Sequence, residues 1–257
     1  MVAALATGLT VAGSAREAGA RRGVRPLFEP TDLELENPGV MEIDLQVGAI
    51  RSQGPWRAVV PDFELDFGLL RNVELDLDGA YAIEGPAVGP FAFDHAAPDS
   101  LWLSMKLGLF DFEYEGRGFA LGIQGGPKLP VATGSHGVGV EGLLLIGINL
   151  GRTHLVVNLG AFLDPVPAPD SGRPVALEAG LDLDQDIDAQ GHWSFKGELS
   201  AVRFLSSDPN QLLATGGFAW SPRDEIELSV IGLWGFLAGN DRYGVLLGFS
   251  PKIRFFH

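Results

Sequence analysis

The sequence contains no cysteine. Thiolate metal sites and cysteine nucleophiles are therefore excluded, and an exported protein without disulfides is a class it fits. Nor does any stretch reach the roughly 18 uninterrupted apolar residues that a spanning helix needs, so helical membrane spans are excluded. Histidine is scarce, with five residues, which leaves little material for metal ligation. Positive charge is also in short supply. The 18 Lys and Arg face 33 Asp and Glu, and a formal charge of −15 argues against nucleic acid as a partner. No cofactor is expected.

Glycine is abundant, at 35 residues, with 16 Phe and 5 Trp in a chain of 257. Hydrophobic residues make up 46% and charged residues 20%, which in bulk suits an ordinary soluble protein. The order of the residues decides otherwise. Val2 to Ala15 is small and apolar, and Ala18-Gly19-Ala20 is an A-x-A cleavage pattern, with Gly13-Ser14-Ala15 as an alternative. No Lys or Arg precedes the apolar run, so a disordered tail stays open beside the signal peptide expected over residues 1–20. Arg21, Arg22 and Arg25 lead into a Pro-containing polar linker, residues 21–38, expected in the periplasm.

From residue 39 onward the dominant period is two. Met41, Ile43, Leu45, Val47 and Ala49 alternate with Glu42, Asp44, Gln46 and Gly48. Phe63, Leu65, Phe67 and Leu69 alternate with Asp62, Glu64, Asp66 and Gly68, and Val73, Leu75 and Leu77 with Glu74, Asp76 and Asp78. Such alternation puts one set on an apolar face and the other on a polar face of a strand. The pattern recurs at Leu101–Leu109, Phe119–Ile123, Val138–Ile148, Leu155–Ala161, Val175–Leu183, Trp193–Ala201, Leu212–Trp220, Ile226–Trp234 and Tyr243–Phe255. In the sixth strand Leu143, Leu144, Leu145 and Ile146 blur it.

The connections alternate too. Leu70-Arg71-Asn72, Asn149 to Arg152 and Ser221 to Asp224 are short turns. Longer loops are expected at Ile50–Val59, Glu84–Ser100, Leu163–Arg173, Arg203–Asn210 and Phe236–Arg242. Short periplasmic turns and long extracellular loops mark bacterial outer-membrane barrels, and about twelve strands of about ten tilted residues fit the length. The expected fold is an all-β, transmembrane, antiparallel up-and-down barrel over residues 39–257, assembled by the barrel-assembly machinery and surrounded by outer-membrane lipid.

A soluble β-sandwich or lipocalin-like barrel is the competing fold. A densely charged polar face opposes it, as do aromatics near strand ends: Trp220, Trp234, Tyr243, Phe249 and Phe255. A barrel in lipid must close, because an open edge leaves unpaired N–H and C=O groups at several kcal/mol each. Glu42 and Asp44 near the start of the first strand, and Lys252 and Arg254 near the end of the last, suit a charged closing seam. Simple solvation of these groups is the other reading.

Gly125-Gly126-Pro127-Lys128-Leu129-Pro130-Val131-Ala132-Thr133-Gly134 resembles a G-x-K-x-P-T-G strand end and loop, and Tyr243-Gly244-Val245-Leu246-Leu247-Gly248-Phe249 a terminal strand, of the meta-pathway phenol-degradation family of outer-membrane proteins. Members of that family end in an aromatic residue; this chain ends Phe255-Phe256-His257, and Pro251 interrupts its last strand. The resemblance implies passage of small hydrophobic or aromatic compounds.

The polar face is assigned to the lumen: Glu42, Asp44, Asp62, Glu64, Asp66, Glu74, Asp76, Asp78, Glu141, Glu178, Asp182, Asp184, Glu198, Glu225 and Glu227, with Lys106, Lys128, Lys196, Lys252 and Arg254. A hairpin register set by the turn at Arg71 puts Asp66 opposite Asp76 and Glu64 opposite Asp78, a destabilising arrangement unless water or cations reach it. A hydrated lumen so lined favours cations. A passive channel for a small-molecule solute is the leading expectation, and a plugged, non-conducting barrel the alternative. An enzyme is not expected. His192-Trp193-Ser194, with Glu198 on the same face, resembles outer-membrane lipid A deacylases over only two residues. The run Asp182, Asp184, Gln185, Asp186, Asp188 offers oxygen ligands for calcium, but it lacks the glycine and distal glutamate of the helical calcium loop, and an acidic periplasmic turn is the preferred reading.

Overall fold

A computed structural model describes residues 35–257, except 52–55, 85–94, 115–116, 133, 168–170 and 256–257. The signal peptide and most of the linker, residues 1–34, lie outside the described residues. Twelve strands follow in order: β1 (Val40–Arg51), β2 (Trp56–Leu70), β3 (Val73–Glu84), β4 (His95–Tyr114), β5 (Arg117–Lys128), β6 (Gly139–Leu150), β7 (Thr153–Leu163), β8 (Val175–Asp186), β9 (Trp193–Phe204), β10 (Gln211–Arg223), β11 (Ile226–Gly235) and β12 (Tyr243–Arg254). Each pairs antiparallel with its sequence neighbours, and β1 pairs β12, closing the barrel. Among the described residues there is no helix.

The alternation in sequence becomes an inside and an outside. In β6, Glu141, Leu143 and Leu145 are buried, while Val140 and Leu144 are exposed. On β12, Val245, Leu247 and Phe249 are exposed and Leu246 is buried. The blurred sixth strand thus has one clear register. Apolar side chains on the outer surface reverse the arrangement of a soluble protein, in which such residues are buried, and match a wall solvated by lipid.

Bulges and the closing seam break the simple pattern. Val59 pairs Gly48 and Asp62 pairs Gln46, so β2 carries an extra residue at Val60-Pro61. A bulge there suits a proline that has no N–H to give the ladder. The bulge flips the parity of β2, which turns Arg57 and Val59 inward together with Asp62 and Glu64. The alternation therefore stops being readable at Val59, and the long loop expected at Ile50–Val59 is in fact two strand ends joined by residues 52–55. Similarly, β4 begins at His95, inside the loop expected to run to Ser100. A second bulge, between Gly108 and Phe110, leaves Leu109 and Phe110 both exposed and sets Phe110 beside Phe119, with ring centroids 6.3 Å apart. At the seam, Glu42 pairs Lys252 and Leu45 pairs Phe249, with no bridge between them. Pro251 falls in that gap, yet β12 continues through it to Arg254.

Candidate functional site

The strands divide the lumen along its length. One end carries the connections at 71–72, 151–152 and 224–225, and both termini of the barrel; the other carries the loops. In the turn half, β1, β2 and β3 stack acids in register. Glu42 pairs Asp66, which pairs Asp76; Asp44 pairs Glu64, which pairs Asp78. The opposition of Asp66 to Asp76 and of Glu64 to Asp78 is the one the turn at Arg71 implies. Neighbouring strands answer this charge. Ser104 Oγ and Gln124 Nε2 donate to Asp76 Oδ2 at 3.0 and 2.8 Å. Lys106 Nζ donates to Glu74 Oε1 at 2.6 Å, and both side chains are almost fully buried. Such a pair holds only because each ion's lost hydration is offset by its partner.

Every lysine of the chain is held by carboxylates in this way. Lys196 lies 2.8 Å from Glu227 and 3.8 Å from Asp184. Lys128, at the loop end of β5, reaches Asp164, lies 3.2 Å from Glu141, and stands 4.8 Å from the centroid of the Phe162 ring. Lys252 lies 3.0 Å from Glu42 across the seam and 2.5 Å from Glu36. The charged closure expected between the first and last strands is therefore present at Glu42–Lys252, whereas Arg254 is exposed at the rim opposite Val40. Glu178, Asp182 and Glu198 occupy inward positions on β8 and β9, beside the small residues Gly160, Gly180 and Ser200. There Asn158 Nδ2 donates to Asp182 Oδ2 at 2.8 Å. Glu225 sits in the exposed turn between β10 and β11.

Glu36 belongs to a feature the sequence reading did not isolate. Gly39, at φ 81°, reverses the chain just before β1. The preceding residues run back beneath the turn end of the lumen. Gly39 N–H donates to Gly68 O at 2.8 Å, the backbone N–H of Glu36 donates to Glu74 Oε2, and Leu35 packs near Gly108 on β4. A side chain at Gly68 would meet Glu36 O at 2.2 Å, so glycine there makes room for this strap. The last residues of the expected linker are thus part of the barrel's turn end. The signal was an acid in a Pro-Gly-terminated segment, too short to show a period.

The loop half differs in kind. Ile50, Val59, Leu213, Ile231, Leu233 and Leu246 form a buried apolar cluster inside the barrel. Phe162, Ala176 and Phe204 form another, with the two rings 5.8 Å apart and edge-on. Trp102, Ala120, Leu143 and Leu145 form a third, which straddles the middle of the barrel, and Trp102 Nε1 donates to Gly126 O at 3.2 Å. Arg57 ties β2 to Asp241, in the β11–β12 loop, at 2.6 Å. Not all inward side chains are polar, and the apolar residues are not lipid coat alone.

The candidate enzyme and calcium residues are dispersed. His192 is exposed in the β8–β9 turn, 3.7 Å from Asp188, while Ser194 is buried on β9 facing the lumen. Asp184 faces Lys196, and Asp188 accepts the backbone N–H of Trp193 at 2.8 Å, so the acidic run is spent on the strand end and its turn. Asp66, Glu74 and Asp76 bring carboxylate oxygens within 4.8 Å of one another. Glu74 already neutralises Lys106, and Asp76 accepts from Ser104 and Gln124, so this donor set serves the network between the strands.

No family model and no curated protein matches the chain. Solved structures do resemble it. The NanC porin superposes with a TM-score of 0.56 at 4% identity, covering 83% of this chain and 100% of that one. A KdgM porin in complex with disordered oligogalacturonate gives 0.49 at 7% identity, over 84% of this chain and 99% of that one. The translocator domain of autotransporter NalP from Neisseria meningitidis gives 0.45 at 13% identity, over 87% of this chain and 91% of that one. The last two are too distant to carry weight. The likeness to NanC is one of fold: this chain has the fold of a porin-like outer-membrane β-barrel.

Proposed function

We propose that the chain is a bacterial outer-membrane channel for small solutes, which it passes without chemical change. The observation that carries this is the division of one closed barrel into an apolar outer wall and a turn half of the lumen lined with Asp, Glu and Lys. Only a wall immersed in lipid profits from exposing Val230, Trp234, Val245 and Leu247. The porin fold supports the same reading. Inside, the substrate-passage residues are Glu42, Asp44, Glu64, Asp78, Glu178 and Glu198 with their neighbours, and their excess of carboxylates over lysines favours cations or neutral molecules over anions. The resemblance to the meta-pathway phenol-degradation family adds hydrophobic or aromatic compounds as the solute class, and apolar side chains inside the loop half give such solutes a surface to contact. The signal peptide, the periplasmic turn end and handling by the barrel-assembly machinery belong to this proposal.

A closed barrel is the second reading. It is favoured by inward side chains such as Asp62, Lys106, Leu233 and Leu246, which are almost fully shielded from solvent. Recording the purified barrel in planar bilayers separates the two. Stepwise currents, larger for cations under a salt gradient, are expected; their absence at all salts and voltages would sink the channel.

A further inference from the structure

β4 runs through 20 residues, where the other strands have 10 to 15. Its excess lies at the turn end. There β3 accompanies it only as far as Val73, which pairs Leu107, and the N–H of Gly108 donates to Asn72 O at 3.0 Å. On its other side β4 stays paired with β5 down to Tyr114 opposite Arg117. Residues 109–114 therefore have a strand on one side and, among the described residues, none on the other. Strand tilt staggers neighbours in any barrel. Elsewhere the overhangs are shorter: β10 passes its last β9 partner by residues 221–223, and β12 passes β11 by residues 252–254. Both are partly covered, by Ser221 N–H on His192 O and Lys252 N–H on Glu225 O. The β4 overhang begins at apolar surface, since Leu109 and Phe110 are exposed and Phe110 lies beside Phe119. Unpaired N–H and C=O groups at a lipid boundary are costly, and an open edge is a template for another strand.

The strap leads to the head of this edge. A Cβ at Gly108 would lie 3.0 Å from Leu35 Cδ1 and 3.8 Å from Asn72 Cβ, so Leu35 sits where β3 leaves β4. We propose that the residues before it, 29–34, continue along the edge as an added strand, so that the strap is fastened at β4 as well as at β1. With Leu35 at the Gly108 end, falling numbers in this arm follow rising numbers in β4, which is the antiparallel sense. Six extended residues span about 20 Å, the length of the open edge. Carried upstream to Asp32, the strap also gains an alternation, with Leu33 and Leu35 on one side and Asp32, Glu34 and Glu36 on the other. Pro30 has no N–H to give, which an outermost strand tolerates on its free side. Acids of the arm meet the exposed Asp111 in water at the turn end, where like charges are screened. Tethered through Leu35, the arm meets the edge at an effective concentration on the order of millimolar, which favours it over a second copy or a free peptide. The inference goes beyond the channel reading and needs only the barrel and its strap.

Hydrogen exchange read by mass spectrometry tests this on the full folded chain in detergent, beside a chain shortened to begin at Leu35. Amides of residues 109–114 are expected to exchange about tenfold or more slowly in the full chain, and to lose that protection in the shortened one. Fast exchange in both would overturn the proposal. Slow exchange in both would overturn it too, since another occupant would then cover the edge, a second copy being recognised by a doubled protein mass. Disulfide cross-linking decides the matter without truncation. The chain has no cysteine, so L33C combined in turn with L109C, F110C, D111C or F112C reports only the introduced pair. Opposed residues of antiparallel strands stand about 4.5–5.5 Å apart at Cα, within disulfide reach. At least one of the four pairs is expected to oxidise nearly completely, and L33C with F119C, on the far side of β4, hardly at all. No cross-link to any of the four, or one equally strong to F119C, would overturn the proposal. Neither readout uses current, so a barrel that fails to conduct leaves this test intact.

Discussion

Replacing Lys106 by methionine tests the claim that the acidic wall of β1–β3 is held by specific partners. The two side chains are exposed by 2% for Lys106 and 1% for Glu74, and the nitrogen and oxygen are 2.6 Å apart. At an effective dielectric of about 20, opposite charges at that separation attract by about 6 kcal/mol. Several kcal/mol of lost hydration per ion offset most of this, so the intact pair contributes little net stability. Removing one partner is a different matter. Lys106→Met leaves Glu74 buried without its cation and close to Asp66 and Asp76, and breaking a buried pair in this way costs about 3–5 kcal/mol. Lys106→Met/Glu74→Met removes both charges and is expected to recover more than half of that loss. A residual cost is the backbone N–H of Glu36, which then loses its acceptor. The assay is reversible urea unfolding in phospholipid vesicles, followed by tryptophan fluorescence, with all four members of the cycle compared at constant slope. A Lys106→Met cost below about 1 kcal/mol, or a double variant as unstable as the sum of the singles, would refute the reasoning: it would mean the lumen is wet enough to screen Glu74.

Other expectations follow from the same geometry. Deleting residues 1–37 removes the strap, and single-channel conductance in planar bilayers is expected to rise; an unchanged conductance would show that the strap does not narrow the turn end. Gly68→Ala drives a methyl into Glu36 O and Asn37 O. It is expected to cost about 1–3 kcal/mol in the full chain and little in the truncated one, which unfolding midpoints of both will show. Val230→Arg places a charge on the lipid-facing wall and is expected to cost about 2–4 kcal/mol in vesicle unfolding, the value for arginine near the bilayer midplane. A cost near zero would argue that β11 does not face lipid. Glu178→Gln/Glu198→Gln removes two inward carboxylates of β8 and β9, and the reversal potential under a salt gradient is expected to move toward that of a non-selective pore.

Much of the barrel was legible because lipid and lumen impose opposite chemistry on alternate residues. Strand existence, antiparallel order, the Glu42–Lys252 seam and the Asp66–Asp76 opposition all follow from a period of two and one short turn. What was not legible lies where that period slips. Pro61 shifts the parity of β2, so Val59 reads as loop while it packs inside against Ile50 and Leu246. Leu213, Ile231 and Leu233 are inward apolar residues on strands whose outward residues are also apolar, and hydropathy cannot tell one face from the other there. The strap escaped for the opposite reason: a segment of four residues has no period, and its meaning lies in Gly68, Glu74 and Lys252, far away in sequence. Within the lumen, residue type foretold which side chains are charged. It did not foretell that apolar clusters sit inside the loop half beside the Lys128 and Arg57 ion pairs, since that depends on where along each strand the hydrophobic inward residues fall.

The placement of the lysines has a practical corollary. Lys106, Lys128 and Lys196 are buried inside the barrel wall, and Lys252 is largely covered between Glu36 and Glu42. A reagent that modifies primary amines therefore meets almost no target on the folded molecule beyond the α-amino group, and all four lysines become targets once the wall opens. Amine labelling counted by mass thus supplies an intrinsic tally of unfolded barrels in a membrane sample, without any engineered tag. A lysine-directed protease would likewise leave the inserted barrel whole while trimming chains that failed to assemble.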